Sequence, residues 1–229
     1  MVQSGELKTS TKMRVAIVAV AILMLGSTIA LYIGIVLGYN NNSSSTTATS
    51  EKEERFSELY TEYQEKLNVQ AKELSGKYFE TFKPYLANVK SFNAADVTEV
   101  KTKDLVVGTG AEITEGFEDY MAYYIGWLSD ETIFDSSFDD AKSPTSLGTP
   151  LAGGNMIEGW NKGIVGMKIG GIREISIPAE LGYGDQENGS IPANSPLKFV
   201  VMMIEPVEMI DWSDEMYQLY TELYGTTTE

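Results

Sequence analysis

The sequence predicts an α+β chain: an antiparallel sheet wrapped around a short helix, preceded by a transmembrane helix and a soluble amphipathic helix. Three observations carry that reading. An uncharged apolar run fills residues 15–38. Apolar and aromatic residues then recur at three- and four-residue spacing from Phe56 to Phe82, as on one face of a helix. Beyond residue 98, short strand-like stretches alternate with turn residues.

Composition removes whole classes of chemistry. The 229 residues include no cysteine and no histidine. Without cysteine there is no disulfide, thiolate nucleophile or zinc–thiolate site. Without histidine the chain lacks the commonest general base and the commonest transition-metal ligand. Serine–histidine triads are therefore excluded. The formal net charge is −16, so there is no basic footprint for nucleic acid. Such acidity reads as solubility and self-repulsion.

Each element has its own signal. Lys8, Lys12 and Arg14 precede the apolar run, which is long enough at ~1.5 Å per residue to cross a hydrocarbon core of ~30 Å. Basic residues on that flank place residues 1–38 as a cytoplasmic stub and single-pass anchor in the cell membrane, with the remainder extracytoplasmic; the rival reading is a cleaved signal peptide, whose apolar core usually spans only ~7–15 residues. Residues 39–50 are rich in asparagine, serine and threonine and read as a flexible linker. Residues 51–90 form the amphipathic helical segment, with Ser50 as N-cap and Pro84 as its break. Its stripe suits packing on its own domain, or self-association of two copies through 51–90. Residues 98–208 form the α+β domain, with strands over 105–107, 120–128, 172–177 and 197–204 and a short helix over 156–163. Residues 209–229 read as a C-terminal amphipathic helix and tail, with Ser213 as a possible cap.

The stretch 154–184 is dominated by glycines and large apolar residues and offers almost nothing that transfers a proton. It suggests a preformed apolar cleft. Around it stand, in order, Tyr124-Ile125-Gly126-Trp127-Leu128, Ile133-Phe134-Asp135-Ser136-Ser137 and Met156-Ile157-Glu158-Gly159-Trp160. Gly163 to Gly170, Ile177-Pro178 to Tyr183-Gly184, Ile191-Pro192 and Leu197-Lys198-Phe199 follow. This series resembles the FKBP-type peptidyl-prolyl cis-trans isomerases across roughly half of the chain.

The resemblance implies an FKBP-like sheet and acceleration of X–Pro isomerisation in proline-containing polypeptide clients, without cofactor or metal. It implies Trp160 as the floor of a proline pocket, and Tyr124, Phe134, Met156, Ile157 and Phe199 as walls. Tyr183 corresponds to a loop tyrosine that donates to a ligand carbonyl, and Ile191 to a flap isoleucine. Asp135 corresponds to a buried aspartate beside Tyr124. A further wall position, usually phenylalanine, falls at Leu147, and the flap histidine of some members is replaced near Asn188.

The chemistry agrees with the composition. Rotation about an X–Pro bond meets a barrier of ~18–20 kcal/mol because resonance holds the amide planar. No proton has to move, so the lack of histidine is no obstacle. The acidic run Asp130, Glu131, Asp135, Asp139 and Asp140 lacks the spacing of a calcium loop. Ser136 and Ser137 have no base to activate them. Two readings follow: an isomerase acting on proteins folding outside the cytoplasm, or the same fold used as a chaperone or scaffold module with little turnover.

Overall fold

A computed structural model describes residues 46–116, 120–154, 156–208 and 210–224. The apolar run at 15–38 lies outside them. Among the described residues, no helix is long and apolar enough to cross a membrane. The described residues divide into two compact units, Glu58–Tyr217 and a smaller one to which 46–57 and 218–224 belong.

Helix α1 spans Thr46–Phe82 and is followed by a 3₁₀ helix, Lys83–Asn88, that carries Pro84 in its first turn. The break falls where a ring lacking an N–H would interrupt the ladder. The start differs from expectation. Helix reaches back to Thr46, inside the stretch read as flexible linker, so Ser50 lies within it and is no cap. Extending an existing helix is far easier than nucleating one, which lets a weak Thr-Ala-Thr-Ser tract join it.

The described residues form one six-stranded antiparallel sheet. Its strands are β1 (Lys101–Val106), β2 (Met121–Trp127), β3 (Ile133–Ser136), β4 (Leu151–Ala152), β5 (Ile172–Ile177) and β6 (Leu197–Ile204). Their order is β1-β5-β6-β2-β3, with β4 pairing β2. Both β5 and β6 coincide with the expected strands; β1 begins earlier, and β3 and β4 are additional. Helix α2 (Glu158–Ile164) follows β4, and α3 (Asp214–Tyr224) follows the sheet. The Ser213 hydroxyl accepts from the Met216 N–H at 3.2 Å, which caps α3 as expected.

Strand alternation gives the sheet two apolar faces. Ala122 on β2, Ile175 and Ile177 on β5 and Phe199, Val201 and Met203 on β6 share one cluster with Trp160 and Ile164 of α2. Tyr123, Ile125, Ile172, Val200 and Met202 share the other with Leu74 and Phe82 of α1. Phe82 stacks on Phe138 at 5.5 Å between centroids, and Tyr78 lies 6.0 Å from Tyr123. The C-terminal half of α1 thus packs on its own sheet.

Within the smaller unit, Phe56 contacts Tyr220 and Tyr224 at centroid distances of 6.2 and 6.1 Å. Lys52 pairs with Glu222 at 2.9 Å.

Candidate functional site

On the face that carries α2, four aromatic rings from four separate elements converge. The indole of Trp160 meets Tyr124 edge-on, with centroids 5.7 Å apart and planes at 86°. It meets Phe199 at 5.3 Å and 89°. Phe199 in turn meets Phe134 at 5.5 Å and 84°. These edge-to-face contacts are the favoured geometry for rings whose faces are negative and edges positive. Gly126 makes the arrangement possible: a Cβ there would lie 2.6 Å from the Phe134 ring and 2.7 Å from that of Phe199.

Helix α2 is brought against the sheet by its own glycines. A Cβ at Gly159 would meet Ile177 at 2.2 Å, and one at Gly163 would meet Ile175 at 2.5 Å. The buried Arg173 of β5 donates to the carbonyls of Gly163 and Val165, both at 2.9 Å, and pairs with Asp104 at 2.6 Å. It therefore satisfies carbonyls that the end of so short a helix leaves open. At the other end Ile157 occupies the N-cap without any side-chain cap bond. An apolar residue is a poor cap; here it packs with Met156 against the aromatic cluster instead.

The hydroxyl of Tyr124 donates to Asp135 at 2.5 Å. Burial first, and then Asp135, push the Tyr124 pKa well above the ordinary tyrosine value. Tyr183 shifts in the same direction for the same two reasons. The backbone of Tyr124 is clamped to Ser137: the Tyr124 N–H donates to Ser137 Oγ and the Ser137 N–H to the Tyr124 carbonyl, each at 2.9 Å. Ser137 is thus a strap between β2 and the end of β3. Among the described residues the Tyr183 hydroxyl makes no hydrogen bond, so it is free to donate to a ligand. Tyr183 itself packs against the cluster. Ile191 is buried in the same cluster, and exchanges backbone bonds with Asn188 at 3.0 and 2.9 Å.

Three expectations change. Leu147 does not join these rings. It is buried in the cluster beneath α1, bridged to Phe138, and its N–H donates to Ser75 Oγ at 2.8 Å. The residue that packs on the aromatic cluster from this region is Leu151, paired with Ala122 across β2 and β4. Asp135 is exposed rather than buried, because β3 is the outermost strand of the sheet. The floor of the cleft is also fully covered, while Tyr124, Phe134, Met156, Ile157 and Tyr183 around it are half-buried. Trp160 is 0% exposed and Phe199 5%. Packing these rings on one another removes apolar area that would be unfavourable in water. A cavity of about 350 Å³ lies elsewhere, lined by Asn88, Lys90, Lys103, Glu174 and Lys198, and touches none of these rings.

One contact had no counterpart in the sequence reading. The Trp160 indole N–H donates to the hydroxyl of Tyr120 at 3.0 Å, in a buried bond. Tyr120 shares the parity of Ala122 and Tyr124, which is the signal that places it on this face.

Comparison with known proteins adds the decisive observation. The family model for FKBP-type peptidyl-prolyl cis-trans isomerases matches residues 119–204. An FK506-binding protein of Neisseria meningitidis serogroup A is 40% identical over 107 residues, which are 46% of this chain and 94% of that protein. The chain belongs to the FKBP-type peptidyl-prolyl cis-trans isomerases. FK506-binding protein 4 of Neurospora crassa is 38% identical over 124 residues, 54% of this chain and 26% of that protein. A solved peptidyl-prolyl cis-trans isomerase of Pseudomonas syringae pv. tomato matches 56% of this chain and 92% of its own, at 22% identity and a TM-score of 0.38. The FKBP domain is an enzyme, a peptidyl-prolyl cis-trans isomerase.

Proposed function

We propose that this FKBP-type isomerase works from a membrane anchor on polypeptides folding outside the cytoplasm, and that it turns X–Pro bonds by taking the prolyl ring out of water. The observation that carries the mechanism is the convergence of Tyr124, Phe134, Trp160 and Phe199, with Tyr183 packed against them and its hydroxyl unbonded among the described residues. The planar amide is charge-separated and well solvated; the twisted one has lost that resonance. A dry aromatic site therefore raises the planar form relative to the twisted one. Tyr183 donates to a carbonyl beside the proline, and Met156, Ile157 and Ile191 hold the chain around it. Asp135 keeps Tyr124 in place. Contacts that fit only the bent amide act on the barrier rather than on binding. Because the indole is covered, the half-buried rim of Met156, Ile157 and Tyr183 has to part before a ring can reach it.

Two measurements test the reading. In a proline-tetrapeptide isomerisation assay the full chain is active, and Trp160→Ala or Phe134→Ala loses most of that activity. Rates unaffected by either change would overturn the site. The anchor rests on the uncharged run at 15–38 behind Lys8, Lys12 and Arg14. The full chain then stays with membranes through an alkaline carbonate wash, whereas a chain lacking residues 15–38 is released. Release of both removes the anchor from the proposal. Pairing of two copies through residues 51–90 would draw on the part of the stripe before Leu74, since the remainder covers the sheet.

A further inference from the structure

We propose that Tyr120 is a positioning residue for isomerisation, one that fixes which edge of the Trp160 indole faces the cleft. The edge-to-face contacts with Tyr124 and Phe199 set the plane of the indole, but a plane alone leaves two orientations of the ring within it. An indole has a single polar atom, a donor. A buried donor needs an acceptor, and here the Tyr120 hydroxyl supplies it at 3.0 Å, between side chains that are 3% and 0% exposed. The bond aims the N–H at the hydroxyl of a buried side chain. Without it, the alternative partner for the N–H is water at the cleft, which would wet the floor of a site that works by excluding water. Tyr120 reaches a second part of the site through its backbone. Its carbonyl accepts from the Gly153 N–H at 2.8 Å, at the start of the segment that carries Met156 and Ile157. One residue therefore ties strand β2 to both the floor and a wall.

The inference rests on the pocket reading above, and the experiment separates the two. In the full chain, Tyr120→Phe removes one oxygen and leaves the ring. We expect kcat/KM to fall roughly tenfold, mainly through kcat, because a buried donor loses its partner. Tyr123→Phe is the control. That hydroxyl is also buried but has no partner among the described residues and belongs to the opposite cluster, so its loss leaves activity unchanged. In a Trp160→Phe background there is no indole N–H to aim, and adding Tyr120→Phe costs nothing further. An unchanged rate in Tyr120→Phe, or an equal loss with and without the indole, overturns the proposal. Should Tyr120→Phe fail to fold, hydrogen exchange of the assigned Trp160 indole proton in the unaltered protein still decides. Slow exchange, free and with a proline tetrapeptide bound, supports the bond; rapid exchange removes it. That measurement holds whether or not the chain turns over a tetrapeptide, so it fails independently of the pocket reading.

Discussion

Tyr124 and Tyr183 show how single residues are tuned without acid–base catalysis. Burial and the neighbouring Asp135 raise both phenols above the ordinary value of 10.0. A raised pKa keeps the neutral, donating form, so its benefit is complete below the unfolded value and is lost only as pH climbs through the folded one. With no histidine to titrate near neutrality, isomerase activity is expected to stay level from about pH 7 to about pH 9. A bell-shaped profile in that window would contradict it. Asp139 works in the other direction. Bonds donated by the Thr145 hydroxyl and N–H, with others from Ser146 and Asp140, hold its carboxyl far below the usual carboxylate range. Its contribution is present above the unfolded pKa and disappears as pH falls through the folded one. Asp139→Ala should lower the thermal midpoint at pH 7, with the gap from the unaltered protein closing toward pH 2. A gap that widens on acidification would sink this account.

At the level of elements, α2 is a seven-residue helix held by close approach rather than by length. Its glycine spacing lets the backbone lie directly on Ile177 and Ile175 of β5. Gly159→Ala has no room for the added carbon, and overpacking of this kind costs about 1–3 kcal/mol. Denaturant unfolding should show that loss, and kcat should fall with it because Trp160 is the next residue on the helix. Arg173 holds the other end. Arg173→Met leaves the carbonyls of Gly163 and Val165 without their donor, and a loss of roughly 2–3 kcal/mol is expected for charge-assisted bonds in a buried place. A variant as stable as the parent would show that water replaces the guanidinium.

Across the whole molecule, the sheet separates stability from chemistry. The site occupies one face, and α1 with Phe138 and Leu147 covers the other. Phe82→Ala empties a fully buried position on the covered face and should cost about 3–5 kcal/mol. At temperatures where the variant remains folded, its kcat/KM should match that of the parent. A parallel loss of kcat would mean that the two faces are coupled through the strands.

Much of this is legible in the sequence. The absence of cysteine and histidine excluded disulfides, thiolate and zinc–thiolate sites and serine–histidine triads, since an absent side chain is absent in every fold. Strands β5 and β6, the break at Pro84 and the Ser213 cap were readable because each depends on neighbours in sequence. So was the order of motifs from Tyr124 to Phe199, which named the aromatic rings that meet. The remainder depended on partners distant in the chain. Leu147 turns to the far face through Phe138 and Ser75, and Asp135 is exposed on β3, beyond which no strand lies among the described residues. Trp160 is covered because rings from β2 and β6 pack on it. Tyr120 acquires its place only when an indole forty residues away arrives to donate to it. Spacing along a chain reports what a residue is and which side of its own strand it takes. What stands opposite that side is decided when the sheet and its helices come together.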